Sequence, residues 1–319
     1  MLFYGLGIAA ILFTFIKYLP WKHWSVEIFD FPHLQVGFLL IVSLAGTLWF
    51  MEELNWINLL FITLLVISIV MKIVKVYPYT PLAHKEVAKA STNSTSSFSL
   101  VIANVYMFNT KYQKCIDVID KADPDVVLFV ETNTAWKEKL SYFEKKYPER
   151  IYLPYDNTYG MVFFSKLKII KQEVFFLIKS EIPSLDLILE NKNGDQFRFF
   201  GVHPEPPFPS EAETAHPRDN ELMLVGKKAY KEPLPCIVAG DLNDVAWSRM
   251  TTNFQKTSGL LDPRKGRGLF NTFHAKYPLL RWPLDHIFHS PQFKLKKLKL
   301  LPKTGSDHFP VYVALTLKD

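Results

Sequence analysis

Apolar positions divide the chain into two unequal parts. In the first 76 residues they run almost unbroken; from residue 99 onward they come in short bursts between polar turns. Residues 1–20 carry one charge, Lys17, close enough to the end to snorkel, while 34–51 and 54–71 carry none. A helix needs about 20 apolar residues to cross hydrocarbon, so these three stretches are expected to span a membrane and form an anchor over 1–76. Trp21, Trp24, Trp49, Trp56, Tyr77 and Tyr79 fall at their ends, where amphipathic rings prefer the interface. The first stretch lacks the basic start and small-residue cleavage site of a secretory signal, and is expected to be retained. A buried hairpin in a soluble core is the alternative for the other two; two uncharged stretches joined only by Glu52 and Glu53 argue against it. Lysines flank the first loop (Lys17, Lys22) and the exit from the third stretch (Lys72, Lys75, Lys85, Lys89). By the positive-inside rule the C-terminal part would then be cytoplasmic.

Residues 77–98 read as a linker containing the polar joint Ser91-Thr92-Asn93-Ser94-Thr95-Ser96-Ser97. Beyond it, strand and helix spacings alternate. Strands are expected at 99–106, 126–130, 160–165, 169–177, 185–190, 197–202, 237–240, 285–289, 294–300 and 311–317. Helices are expected at 111–121, 136–147, 218–231 and 247–257, with a proline-rich loop over 203–217. Alternation of this kind without an internal repeat points to one layered α/β unit over 99–319.

Composition adds little. The hydrophobic share of 49% is concentrated in the N-terminal part, and the net charge of +6 suits a phosphate-bearing partner or an anionic membrane surface equally well. Cys115 and Cys236 have neither a metal-binding spacing nor the number for a disulfide framework, and both are expected as buried thiols. Lys294, Lys296, Lys297 and Lys299 read as charges guarding an edge strand, or as contacts to anionic lipid.

The chemistry lies where polar residues end apolar strands. Asn104 sits within Val101-Ile102-Ala103-Asn104-Val105, Glu131 follows Val126–Val130, and His203 follows 199–202. Asp241 and Asn243 follow the run Ile237-Val238-Ala239-Gly240, Asp285-His286 precedes Ile287-Phe288, and Asp307-His308 precedes Phe309-Pro310-Val311. One such end is ordinary; their recurrence suggests loops converging on a site. Asn, Glu and Asp are hard oxygen ligands suited to Mg²⁺ or Mn²⁺, and histidines held by carboxylates stabilise charge on phosphorus, so the set supports phosphoester hydrolysis. Structural alternatives stand beside several of these residues: a strand-ending Asx turn for Asp241 and Asn243, a helix N-terminal carboxylate for Glu131, a satisfied core histidine for His203, and an Arg281 partner for Asp285. His216, His274, His286 and His289 are read as structural.

Asn104-Val105, Glu131-Thr132, Gly240-Asp241-Leu242-Asn243, Asp285-His286 and Ser306-Asp307-His308-Phe309-Pro310 together resemble the endonuclease/exonuclease/phosphatase superfamily, with the likeness running from about residue 99 to 317. The apolar stretches further resemble a bacterial membrane-anchored branch. The resemblance implies a four-layer α/β-sandwich like that of deoxyribonuclease I behind a three-helix transmembrane anchor. It implies Glu131 as main ligand of Mg²⁺ or Mn²⁺, with Asn104 and Asp307 supporting the metal. Asp241 would activate water, Asn243 would hold phosphate, and His308, oriented by Asp285, would contact it together with His203. Arg218 would bind substrate or brace the loop. Val202-His203-Pro204 departs from the Thr-His-Leu of many nucleases, and no long basic arm is present to track a phosphate backbone. The expected function is therefore hydrolysis of a lipid-linked or small phosphate ester at a bilayer. A membrane-tethered nuclease and a silent membrane-held binding module are the alternatives. The branch implies an inner-membrane protein with its domain facing outward, opposite to the charge rule; oligomeric state is left open.

Overall fold

The computed structural model describes residues 1–18, 23–91, 96–206 and 216–317. Trp21 and Lys22, positions 92–95 of the polar joint, and 207–215 of the proline-rich loop lie outside the described residues.

Among the described residues the N-terminal part holds two membrane-length helices where three were expected. α1 (Leu2–Phe15) has 14 residues and gives way to a 3-10 turn at Ile16–Tyr18. At about 1.5 Å per residue α1 reaches roughly 21 Å, short of the ~30 Å hydrocarbon core. Lys17 does not snorkel: its Nζ pairs with Asp30 Oδ1 at 2.6 Å, both side chains nearly buried. The short α2 (Trp24–Glu27) and a 3-10 turn at Ile28–Asp30 lead into α3 (His33–Phe50), and α4 (Trp56–Val76) continues as a 3-10 turn through Tyr79. The helical segments His33–Phe50 and Trp56–Tyr79 are long and apolar enough to cross a membrane. Asn55 caps α4 by accepting from Asn58 N, and Ala10, Val36, Leu40, Phe61 and Leu65 pack α1, α3 and α4 together.

From Ser97 the chain builds a sandwich of two sheets. The strands are β1 (Ser97–Asn104), β2 (Val126–Val130), β3 (Glu149–Leu153), β4 (Met161–Ser165), β5 (Lys168–Phe175), β6 (Ser184–Glu190), β7 (Gln196–Val202), β8 (Cys236–Asp241), β9 (Asp285–His289), β10 (Phe293–Leu300) and β11 (Val311–Leu317). One sheet has the order β10-β11-β1-β2-β4-β3 and the other β5-β6-β7-β8-β9. Period-2 alternation sorts their side chains. Leu100 and Ile102 of β1 face the core between the sheets, with Leu128, Leu187, Phe199 and Ile237. Val101 and Ala103 face outward, onto Cys115, Ile116 and Ile119 of α5 (Tyr112–Ala122) and Trp136 and Leu140 of α6 (Thr134–Leu140). On the other sheet Phe200 and Val238 meet Leu222 and Val225 of α7 (His216–Lys231) and Phe254 of α8 (Arg249–Ser258). Both cysteines are free and buried. The result is the expected helix–sheet–sheet–helix layering, with β10 and its lysines on an edge. Two departures are local: the helix expected over 136–147 ends at Leu140 and continues as a 3-10 turn, and β3 was not foreseen.

Candidate active site

The parallel pairs β1–β2 and β7–β8 point their C-terminal ends to the same edge of the sandwich. Asn104, the last residue of β1, is in register with Val130, so Glu131 emerges beside it. Gly240 lies opposite Val202 on β7, and a Cβ there would sit 1.7 Å from the Val202 carbonyl oxygen. Only glycine allows that approach, which brings His203 and Asp241 side by side. Across the antiparallel β8–β9 pair, Asp241 is the register partner of Asp285. Glu131 and Asn243 adopt φ of 59° and 52°, a left-handed conformation uncommon outside glycine and asparagine and concentrated at functional sites.

Hydrogen bonds tie these ends together. Asn104 Nδ2 donates to Glu131 Oε1 (2.6 Å) and to Asp241 Oδ2 (2.9 Å), while its Oδ1 accepts from Tyr106 N. In this arrangement Asn104 braces two carboxylates and turns its oxygen away from them. Asp241 Oδ1 accepts from Asn243 N at 2.9 Å, and Asn243 Nδ2 donates to the Pro204 carbonyl, joining the β7 and β8 loops. His308 Nδ1 lies 2.7 Å from Asp285 Oδ2, and its Nε2 lies 3.6 Å from Asp241 Oδ2. The backbone of His308 is fixed by Ser306 Oγ, and that of Asp285 by Thr272 Oγ1. Asp285 therefore partners His308; Arg281 instead stacks over Phe309 and donates to the Ala275 carbonyl.

Burial sets the charges. It pushes the Glu131 carboxyl up to about 7, with Asp241 and Asp307 adding to the shift and Asn104 and His308 opposing it. Burial and then the facing Asp285 also raise Asp241. Burial opposes charge on His308, but Asp285 and Asp241 outweigh it and raise the imidazole to about 10. His203, lowered to about 4 mainly by burial, is neutral near pH 7, and its Nδ1 has no hydrogen-bond partner among the described residues.

Donor atoms of Glu131, His203 and Asp241 lie within 4.8 Å of one another, as do those of Asp241, Asp285 and His308. Asp307 lines the same cavity outside both groups. Carboxylates, buried or half-buried, that outnumber the nearby imidazolium, with an Asp285 Oδ1 that has no hydrogen-bond partner among the described residues, are a donor set a divalent cation fits.

Arg218 stands one layer back. It is 2% exposed, and its guanidinium bonds Asp219 Oδ1 and the Asn243 carbonyl and lies 3.5 Å from Asp244 Oδ2. The structure thus uses it to brace the Asp241–Asn243 loop and not to face the cavity. His286 is structural as expected: Nδ1 meets Arg264 and Nε2 the Asp244 carbonyl. Sequence reasoning missed Tyr159, Phe273 and Trp282 on the cavity wall and the buried Asp262–Arg264 pair behind it. The only signal was a pair of opposite charges flanking Pro263.

The profile of the Endonuclease/Exonuclease/phosphatase family matches residues 101–308. D. rerio TDP2, solved in complex with single strand DNA product, shares the fold at 18% identity and a TM-score of 0.59, over 69% of this chain and 99% of that one. A mannosyl-6-phosphatase from Bacteroides thetaiotaomicron does so at 20% identity and 0.54, over 69% and 99%. The human Nocturnin catalytic domain does so at 16% identity and 0.55, over 70% and 95%. No curated protein sequence matches the chain. The profile covers well over half of the chain, and the sandwich and its clustered donors agree with it: the chain belongs to the endonuclease/exonuclease/phosphatase family and is a metal-dependent phosphoric ester hydrolase.

Proposed function

We propose that Asp241, Asn243, His203, His308 and Asp285 carry out the hydrolysis and that Glu131 leads the metal site, with Asp307 at its margin. The observation that supports this most is the single hydrogen-bonded assembly from Glu131 through Asn104 to Asp241, with His308 and Asp285 beside it. A bound Mg²⁺ or Mn²⁺ would neutralise phosphate charge and polarise the phosphorus centre. Asp241, raised by burial and held by Asn243 N, is suited to take a proton from the attacking water. Asp285 fixes the His308 ring so that Nε2 points toward Asp241; as an imidazolium, His308 donates to a phosphate oxygen as negative charge builds there. Neutral His203 and the Asn243 amide hold the remaining oxygens. Arg218 keeps the Asn243 loop in place.

The relatives lean toward the nuclease alternative over a lipid-linked ester, since one of them is complexed with single strand DNA product. The mannosyl-6-phosphatase supports a small ester. The observation that favours an apolar-tailed ester is the aromatic wall of the cavity. Membrane tethering through α3 and α4, on either side of an inner membrane, belongs to this reading. The test is a panel of single-stranded DNA, double-stranded DNA, sugar phosphates and alkyl phosphodiesters, each with and without Mg²⁺. Metal-dependent turnover of one class identifies the substrate, and turnover of none refutes the reading.

A further inference from the structure

The cavity is not closed by the sandwich alone. It has a volume of about 710 Å³, and its lining includes Glu131, His203, Asn243, Asp307 and His308. Another part of the lining comes from the N-terminal segment: Phe13 of α1, Phe29 in the Ile28–Asp30 turn, and Phe31 and Pro32 just before α3. Phe13 meets Phe29 edge-on at 4.7 Å and remains 43% exposed. A file of rings leads from this wall to the imidazole. Phe31 lies 5.7 Å from Trp282, Trp282 stacks 6.0 Å from Phe273, and Phe273 lies 5.1 Å from His308.

The wall is fastened in place. Trp247 Nε1, just past the Asp241–Asn243 loop, donates to the Asp30 carbonyl at 2.8 Å, and Tyr79 Oη at the end of α4 donates to the Ala246 carbonyl at 2.6 Å. Gln35 Nε2 in α3 reaches the Leu279 carbonyl. A pocket that holds ionic groups and, three ring contacts away from His308, the rings of the N-terminal segment suits an amphiphile bearing its phosphate at the head. Because α3 begins at His33, directly after Pro32, the apolar wall runs straight into a membrane-length helix.

We propose that Phe13, Phe29, Phe31 and Trp282 form a subsite for the aliphatic chain of a phosphate ester drawn from the bilayer. The N-terminal segment then determines which esters are hydrolysed, and is more than a tether. This rests on the phosphoesterase reading above and adds the substrate class.

The test uses the full chain in lipid nanodiscs with Mg²⁺ or Mn²⁺ and a series of p-nitrophenyl alkyl phosphodiesters from ethyl to decyl, kept below their aggregation limits. The expected kcat/KM rises with chain length, by up to roughly fourfold per buried methylene, and then levels off as the cavity fills. Phe13→Trp, which narrows the wall, moves the plateau to shorter chains. Equal kcat/KM across the series, or a Phe13→Trp profile matching that of the wild type, overturns the subsite and leaves phosphoester hydrolysis standing. Cleavage of single-stranded DNA with no hydrolysis of any alkyl ester does the same. If neither DNA nor any ester is hydrolysed, the phosphoesterase reading and the subsite fall together.

Discussion

Asp241 and Asp285 face each other as register partners across β8 and β9, and His308 lies against both: Nδ1 is 2.7 Å from Asp285 and Nε2 is 3.6 Å from Asp241. Two carboxylates on paired buried strand positions repel each other unless a positive charge or a proton intervenes. The imidazolium supplies part of that charge, which is why His308 is raised to about 10.

Metal-free stability is expected to depend on this ring in a defined pH window. The folded state holds the proton to about 10, whereas an unfolded histidine releases it near 6.5. The contribution is complete below 6.5 and is lost as pH rises through 10, with a slope of at most about 1.4 kcal/mol per pH unit between them. Chemical denaturation of the metal-free protein at several pH values measures it. In Asp285→Asn the slope should flatten and the His308 titration, followed by NMR, should move down toward the ordinary histidine value.

Glu131 predicts the opposite dependence for metal. With its carboxyl raised to about 7, a cation must displace a proton below that pH. Apparent Mg²⁺ affinity should tighten by up to about tenfold per pH unit toward 7, with close to one proton released per ion well below that pH, and level off above it as the proton release falls away. Calorimetry in two buffers of different ionisation heat reads the proton count directly. Glu131→Gln should remove most of the affinity and the part of the pH dependence centred near 7, leaving what Asp241 contributes.

Gly240→Ala tests how the two halves of the site are brought together. The added methyl would lie 1.7 Å from the Val202 carbonyl oxygen, in backbone that cannot yield as a side chain would. Destabilisation of more than about 3 kcal/mol is expected, or failure to fold, measured by urea denaturation. Gly194, with open space around it, is the control: its alanine variant meets no neighbouring atom and bears only the strain of φ +82°.

Trp247→Phe tests whether the N-terminal segment is docked on the catalytic loop. Loss of the indole hydrogen bond to Asp30 leaves that carbonyl buried without its donor, a cost of about 1–3 kcal/mol. Limited proteolysis between α2 and α3 should accelerate, while cleavage within the sandwich should not.

The sandwich was legible because its buried strands keep strict alternation. Leu100 and Ile102 face one way, Val101 and Ala103 the other, and a polar residue such as Asn104 or Asp241 at the end of such a run is chemically out of place. That anomaly is what made the site residues visible before any contact was known. β3 was hidden because it is an edge strand whose Glu149 and Arg150 break the apolar pattern. The length of the first helix was hidden for a different reason. Apolar composition runs on past Phe15, but the chain turns at Ile16–Tyr18, where Lys17 pairs with Asp30, a contact that local pattern does not encode. For the same reason Phe13 read as a membrane residue and Phe29 and Phe31 as part of a connecting loop, whereas all three line the cavity. Arg218 looked available for substrate; its burial among Asp219, Asp244 and the Asn243 carbonyl appears only in three dimensions.

The decisive measurement is hydrolysis of bis(p-nitrophenyl) phosphate by the full chain with saturating Mg²⁺, compared with excess chelator and with Asp241→Asn and His308→Ala. Turnover should vanish with chelator and return with metal, and each substitution should lower kcat by roughly 10²–10⁴ while circular dichroism is unchanged. Equal turnover in the wild type and both variants, or turnover indifferent to chelator, would contradict hydrolysis at this cluster.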